Sequence, residues 1–124
     1  MFTAFEHTGI ASPDHKKLAQ WYVEVFGFAI VYQSAGATFV KAPNGSMIEI
    51  ISAEGDRVEL AMKQPGLRHV ALAVDDFDAD LARIRAAGVK FLGEPVDAKG
   101  NKVVFFTDPE GNILHLIQRA TPLP

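Results

Sequence analysis

The chain contains one short segment twice, and this internal repeat limits its possible folds more than any other feature. Residues 43–51 (PNGSMIEII) are matched 66 residues later by 109–117 (PEGNILHLI). In both copies a turn tripeptide precedes an apolar run, and one ionisable side chain stands four places after the glycine. A second match relates 6–11 (EHTGIA) to 68–73 (RHVALA). The repeat predicts two copies of one supersecondary unit.

Both halves are predicted to hold the same strands. Apolar segments bounded by Gly, Pro, Asn and Asp are typical of short strands separated by turns. The predicted strands lie at about 4–11, 28–33, 37–41, 46–52, 67–74, 89–92, 102–107 and 112–118.

A helix is predicted after the first strand of each half. The first helix is expected to have Ser12 as its N-cap and Pro13 at its first position, and to end at Gly27. The second helix is expected to be capped by the acidic pair 75–76 and to close at 87–88. Each half therefore has the order βαβββ.

The predicted fold class is α+β, with two tandem βαβββ modules forming a curved mixed sheet around a central metal or ligand cavity. Module one is expected at about 4–53, a linker at 54–66 and module two at about 67–118. A single module exposes one face of its sheet, so we expect both to pack as one domain spanning 1–124.

Composition narrows the possible functions. The net charge is −3 without a basic stripe, which argues against a nucleic-acid partner. There is no cysteine, so no disulfide, thiol nucleophile or thiolate metal site is possible. No apolar run is long enough to cross a membrane, and residues 1–4 do not begin a secretory signal. We expect a cytoplasmic protein that acts on a small molecule.

The repeat brings four metal-binding side chains to matched positions. His7 and Glu49 occupy them in the first half, and His69 and His115 in the second. Each lies on an otherwise apolar strand face, where an ionised carboxylate is costly unless it is paired or coordinated. Three imidazoles and one carboxylate suit Zn, Ni, Fe, Co or Mn better than Ca or Mg. For any one of these four residues alone, a hydrogen-bonded core or rim position is the more common role. The fourth histidine, His15, has no match in the repeat and is expected to be solvated on the first helix.

Two aromatic residues are weaker candidates for binding a substrate. Tyr32 can donate a proton if it faces the cavity, although the sequence does not fix its direction. Phe105 and Phe106 occupy opposite faces of one strand, so one ring points inward and either lines the pocket or packs in the core.

The repeated βαβββ order, the leading histidine of each half and the turn 108–112 (DPEGN) resemble the glyoxalase/bleomycin resistance/dioxygenase superfamily, also called the vicinal oxygen chelate superfamily. The resemblance covers about residues 4–118. It implies His7, Glu49, His69 and residue 115 as ligands of a divalent metal that chelates two adjacent oxygens of a substrate. It also implies a homodimer.

The sequence departs from the family pattern at the last ligand, where the usual Glu is replaced by His115. Glu49 is then the only ligand carboxylate able to act as a catalytic base. The resemblance implies a lyase or isomerase that stabilises an enediolate. Two alternatives stay open: a non-haem metal dioxygenase of the same superfamily, and a metal-free bleomycin-resistance type of small-molecule binding protein.

Overall fold

A computed structural model describes residues 1–59 and 61–124, which form two compact units, Met1–Arg57 and Val58–Pro124. The α+β class is confirmed, and each unit has a mixed sheet of its own. The described residues contain two helices and nine strands. In chain order these are β1 (His7–Ser12), α1 (His15–Phe26), β2 (Ala29–Gln33), β3 (Ala37–Lys41), β4 (Met47–Ser52), β5 (Val70–Ala73), α2 (Phe77–Ala86), β6 (Lys90–Phe91), β7 (Val96–Ala98), β8 (Asn101–Thr107) and β9 (Ile113–Gln118).

The sheet of the first unit has the strand order β1-β4-β3-β2, with β1 parallel to β4 and the other pairs antiparallel. Helix α1 covers one face of this sheet. Val40, Ile48 and Ile50 point to the helix and are buried with Leu18 and Tyr22. Because side chains alternate along a strand, the neighbouring residues point to the opposite face, which α1 leaves open.

The start of α1 differs from the prediction. Ser12 is the last residue of β1, where it pairs with Ser52 of β4, and the N-cap is Asp14, whose side chain accepts a hydrogen bond from the Lys17 amide. The Ser12 hydroxyl instead accepts from the Asp14 amide in the intervening turn. Ser12 was expected to cap the helix because serine is a common N-cap residue. In the structure its backbone pairs with β4, so the strand continues to Ser12. The predicted end at Gly27 is confirmed, with φ 71°.

His15 is buried, so the expectation that it would be solvated is wrong. Its Nδ1 lies 2.8 Å from Thr38 Oγ1, and its Nε2 lies 3.0 Å from the Ala35 carbonyl oxygen. The carbonyl can only accept, so Nε2–H donates to it and Nδ1 receives the threonine hydroxyl proton. The residue lies three positions before Leu18, on the buried stripe of α1. That spacing was available in the sequence and identifies His15 as a core residue of this unit.

The second unit repeats the arrangement with the strand order β5-β9-β8-β6, and β5 is parallel to β9. Leu114, Leu116, Val104 and Phe106 are buried on the face where the apolar side of α2 is also buried. Asp76 caps α2 as predicted, and the Gln118 side chain accepts a hydrogen bond from the Phe77 amide.

Strand β7 was not predicted. It pairs with β8 through a two-residue turn at Lys99 and Gly100, both with positive φ (54° and 85°). This is the geometry of a type I′ hairpin, for which Lys is an uncommon first residue. The hairpin signal was therefore weak in the sequence. Among the described residues, no helix is long and apolar enough to cross a membrane.

Candidate functional site

The first unit brings His7 and Glu49 together on the open face of its sheet. In the parallel register Glu49 lies opposite Gly9, and His7 lies two pairs away on the same face, opposite Met47. His7 Nε2 is 3.6 Å from Glu49 Oε1, and the two side chains are 36% and 28% exposed. Because Gly9 has no side chain and nothing lies within 4 Å of a Cβ built there, the space beside both groups stays open.

A second carboxylate orients the His7 ring. Glu6 Oε1 lies 2.8 Å from His7 Nδ1. An ionised carboxylate only accepts, so Nδ1 carries the donated proton, and in the neutral ring Nε2 carries a lone pair. That lone pair then faces the Glu49 oxygen at 3.6 Å without a proton between them. Such an arrangement is electrostatically unfavourable unless a cation, either a proton or a metal ion, lies between the two atoms.

The second unit brings His69 and His115 together on the corresponding face. His69 lies directly before β5, and His115 is in the middle of β9. Their ring centroids are 4.9 Å apart, and the Phe105 ring is 5.6 Å from His69 and 4.6 Å from His115. The predicted strand 67–74 begins only at Val70 in the structure, so His69 is the last residue of the preceding loop. Its ring contacts Phe105 and His115.

His115 is the most buried of the four predicted ligands, at 9% exposed. Burial lowers the pKa of its imidazole below the usual value of 6.5, a hydrogen bond to the Leu116 carbonyl opposes this, and the positive charges of His69 and Arg119 add to the lowering. The Leu116 oxygen lies 3.2 Å from Nδ1, which must therefore donate. The lowered pKa and the bonded Nδ1 both favour the neutral ring with a free Nε2 lone pair, the form that binds metals.

The two weaker sequence candidates lie on these same faces. Phe105 pairs with His115 across β8 and β9. Tyr32 pairs with Phe39, and Phe39 pairs in turn with Glu49. The Tyr32 and Phe39 ring centroids are 6.0 Å apart, and the tyrosine is 58% exposed. Phe105 and Phe39 thus lie directly beside a candidate ligand, whereas Tyr32 lies one strand further along the same row of its sheet.

Two residues of the site were missed from the sequence, Phe39 and Glu6. The Phe39 ring is 5.5 Å from the His7 ring, as Phe105 is beside His69. Phe39 and Phe105 are separated by the same 66 residues as Glu49 and His115, so extending the repeat by one strand identifies the pair. Glu6 has no acidic counterpart in the second half, where Arg68 occupies the matching position, and the repeat could not point to it.

The side chains that the repeat matched thus form two pairs, one in each unit. The described residues contain no group of three or more His, Asp or Glu side chains close enough to bind one metal ion. The donor set itself suits a divalent transition metal, because imidazole nitrogen and carboxylate oxygen are its usual protein ligands. In His7 and His115 the outward ring nitrogen is already bonded to an oxygen acceptor, as is usual for metal-binding histidines.

Comparisons with known proteins identify similar chains over nearly the whole sequence. The uncharacterized protein YaeR of Escherichia coli (strain K12) is 31% identical over 121 residues, which cover 91% of this chain and 94% of YaeR. A probable lactoylglutathione lyase of Synechocystis is 31% identical over 127 residues, which cover 93% of this chain and 95% of that protein. Among solved structures, Oxidase ChaP-H2 is 27% identical with a TM-score of 0.77, covering 96% of this chain and 95% of its own.

The family assignment rests on nearly the whole sequence. Residues 4–116 match the family described as the Glyoxalase/Bleomycin resistance protein/Dioxygenase superfamily. All four matched side chains fall within this range. The chain belongs to the glyoxalase/bleomycin resistance protein/dioxygenase superfamily.

Proposed function

We propose that the protein is a divalent-metal-dependent enzyme of the lyase or isomerase type. His7, Glu49, His69 and His115 would hold the metal. A bound divalent metal supplies Lewis-acid stabilisation of the negative charge that develops when a proton is removed beside a carbonyl, as in an enediolate. The substrate is a small compound with two adjacent oxygens.

The observation that carries this proposal is the contact between His7 and Glu49. With Glu6 bonded to Nδ1, the neutral His7 ring directs a lone pair from Nε2 at a carboxylate oxygen 3.6 Å away. Two atoms that direct lone pairs at each other in this way are stabilised by a cation that lies between them. A hydrogen bond outside the ligand set that fixes the ring tautomer is also typical of metal centres.

Glu49 is the residue that we propose as catalytic base. It is the only carboxylate among the four candidate ligands, since the repeat-related position is His115. Its side chain is partly exposed on the open face, opposite the unobstructed Gly9. A carboxylate in this position can take a proton from a substrate carbon and return it, which is the proton movement that an isomerase or lyase requires.

The rings beside the ligands would provide the substrate contacts. Tyr32 has an exposed hydroxyl-bearing side chain on the same face as Glu49, and Phe105 packs against both histidines of the second unit. We propose that Tyr32 donates a hydrogen bond to a substrate oxygen, while Phe105 provides an apolar wall and limits the access of water.

The test separates metal binding from proton transfer. Protein purified without added metal should contain a transition metal in elemental analysis, and His69→Ala should lose it. Glu49→Gln keeps an oxygen that can coordinate but cannot accept a proton. It should therefore retain metal with lower affinity and lose solvent deuterium incorporation into an α-hydroxycarbonyl compound such as dihydroxyacetone. Glu54→Gln, an exposed change in the same unit, is the matched control. Unchanged metal content in His69→Ala would overturn the proposed site.

A dioxygenase is the second candidate. Oxidase ChaP-H2, at 27% identity, is named as an oxidase, and three imidazoles with one carboxylate are a reasonable ligand set for non-haem iron. Iron content with oxygen uptake on addition of catechol would favour this function over the lyase. A protein that contains no metal and still binds a small aromatic compound would instead favour the resistance-type binding role.

We also propose a homodimer, as the family resemblance implies. Sedimentation equilibrium of the metal-free and metal-loaded protein would measure the mass directly. A monomer in both states would overturn this assignment and restrict the site to a single chain.

A further inference from the structure

The second unit contains a cavity of about 440 Å³ at the carboxyl ends of β5 and β9. Its apolar lining includes Ala73, Ile117 and Leu123, the last from the C-terminal segment. Arg119 and Asp75 line it as well. The cavity is open to solvent, its volume is sufficient for a small organic group, and its lining combines an apolar wall with a few polar groups.

The cavity lies on the same face of the sheet as the candidate metal ligand His115. In the parallel register Ala71 is opposite His115, and the next outward pair on that face is Ala73 with Ile117. Two residues along a strand span roughly 7 Å. A substrate held at His115 by its adjacent oxygens would therefore reach the cavity with an apolar chain of a few carbon atoms.

Arg119 is the group in the cavity that can attract an anionic ligand. It is the only cation of the lining, and within the described part of the chain it makes no salt bridge. A guanidinium recognises a carboxylate well, because its planar N–H groups match the two carboxylate oxygens. The negative charge of Asp75 repels such a ligand, so removing this charge provides a test.

We propose that this cavity binds a carboxylate of the substrate through Arg119. Resting on the proposed function, the inference names the substrate class: a small compound with two adjacent oxygens and, about 7 Å or more from them, a carboxylate on an apolar chain. The side chain of Arg119 would then determine which oxygenated compounds are accepted, while the metal pairs determine the reaction.

The experiment uses metal-free full-length protein, so that a failure of the metal proposal does not affect it. Binding of 3-phenylpropionate and of its uncharged analogue 3-phenylpropionamide is measured by NMR titration. We expect the acid to bind more tightly than the amide, with shifts at the backbone amides of Ala73 and Ile117. Arg119→Gln should weaken the acid about fivefold and leave the amide unchanged.

Two further variants make the result specific. Asp75→Asn removes the opposing charge and should tighten binding of the acid about twofold. Arg57→Gln changes the net charge equally in the other unit and should leave both affinities unchanged. Equal weakening by Arg119→Gln and Arg57→Gln, weaker acid binding by Asp75→Asn, or shifts confined to the first unit would each overturn the proposal.

Discussion

Removing the Glu6 carboxylate tests whether His7 is oriented as a metal ligand. Glu6 Oε1 accepts from His7 Nδ1 at 2.8 Å, and loss of such an outer partner typically lowers metal affinity by about 10- to 100-fold. Because the Glu6 side chain is 72% exposed, water can partly replace it. We therefore expect the lower limit for Glu6→Ala, about tenfold or roughly 1.4 kcal/mol. Glu6→Gln should have a smaller effect, since its amide oxygen still accepts the hydrogen bond.

The affinity can be measured by Co²⁺ titration with visible absorption in competition with a chelator. In parallel, ¹⁵N NMR of the metal-free protein reports the His7 tautomer, which should change from mainly Nδ1–H to a mixture in Glu6→Ala. Glu54→Ala is the control for the change in net charge. The reasoning would be refuted by equal Co²⁺ affinities of Glu6→Ala and Glu54→Ala, together with an unchanged tautomer.

Three other predictions concern stability and are measured by urea unfolding. His15→Ala should destabilise the protein by about 2–3 kcal/mol, because it leaves a cavity, the buried Thr38 hydroxyl without its acceptor and the Ala35 carbonyl without its donor. The exposed Lys16→Ala should change stability by less than about 0.5 kcal/mol. Gly100→Ala should cost about 2 kcal/mol, since φ is 85° and the new Cβ would lie 2.9 Å from that of Ala120, but Gly93→Ala, with open space, should be nearly neutral. In metal-free protein the pKa of His115 is lower in the folded chain than in the unfolded chain. The unfolded chain therefore binds a proton at a higher pH, so stability should fall as the pH drops below about 6.5. His115→Gln should remove that part of the pH dependence.

The fold was largely predictable because the repeat and the turn residues agree with each other. The helix end at Gly27 and the cap at Asp76 follow from local chemistry that tertiary packing did not change. Ser12 and Lys99 were different. The first joins a ladder with a strand 40 residues away, and the second adopts a positive φ that its residue type does not indicate. Long-range pairing decided the conformation of Ser12, and the tight turn between β7 and β8 decided that of Lys99.

The candidate site was predictable only as far as the repeat reaches. The face to which the Tyr32 side chain points could not be predicted from the sequence. The register between β2 and β3 shifts after Ile30, so a bulge places Tyr32 rather than Val31 opposite Phe39. Regular alternation would have put the tyrosine on the helix side. A bulge of this kind leaves no composition signal, yet it decides which residue of β2 lies beside Phe39, in the row that leads to Glu49.

The parallel pairing of first and last strands also has a consequence for the order of folding. In each unit the neighbouring strands can pair locally, whereas β1 with β4 and β5 with β9 join residues about 40 positions apart. These pairings close the longest loops, which is the slow part of forming such a topology. His7 and Glu49 meet only through β1 and β4, so a half-formed unit presents isolated donors to a metal ion. Metal binding during refolding would therefore occur with the final closure of each unit and not with its early collapse.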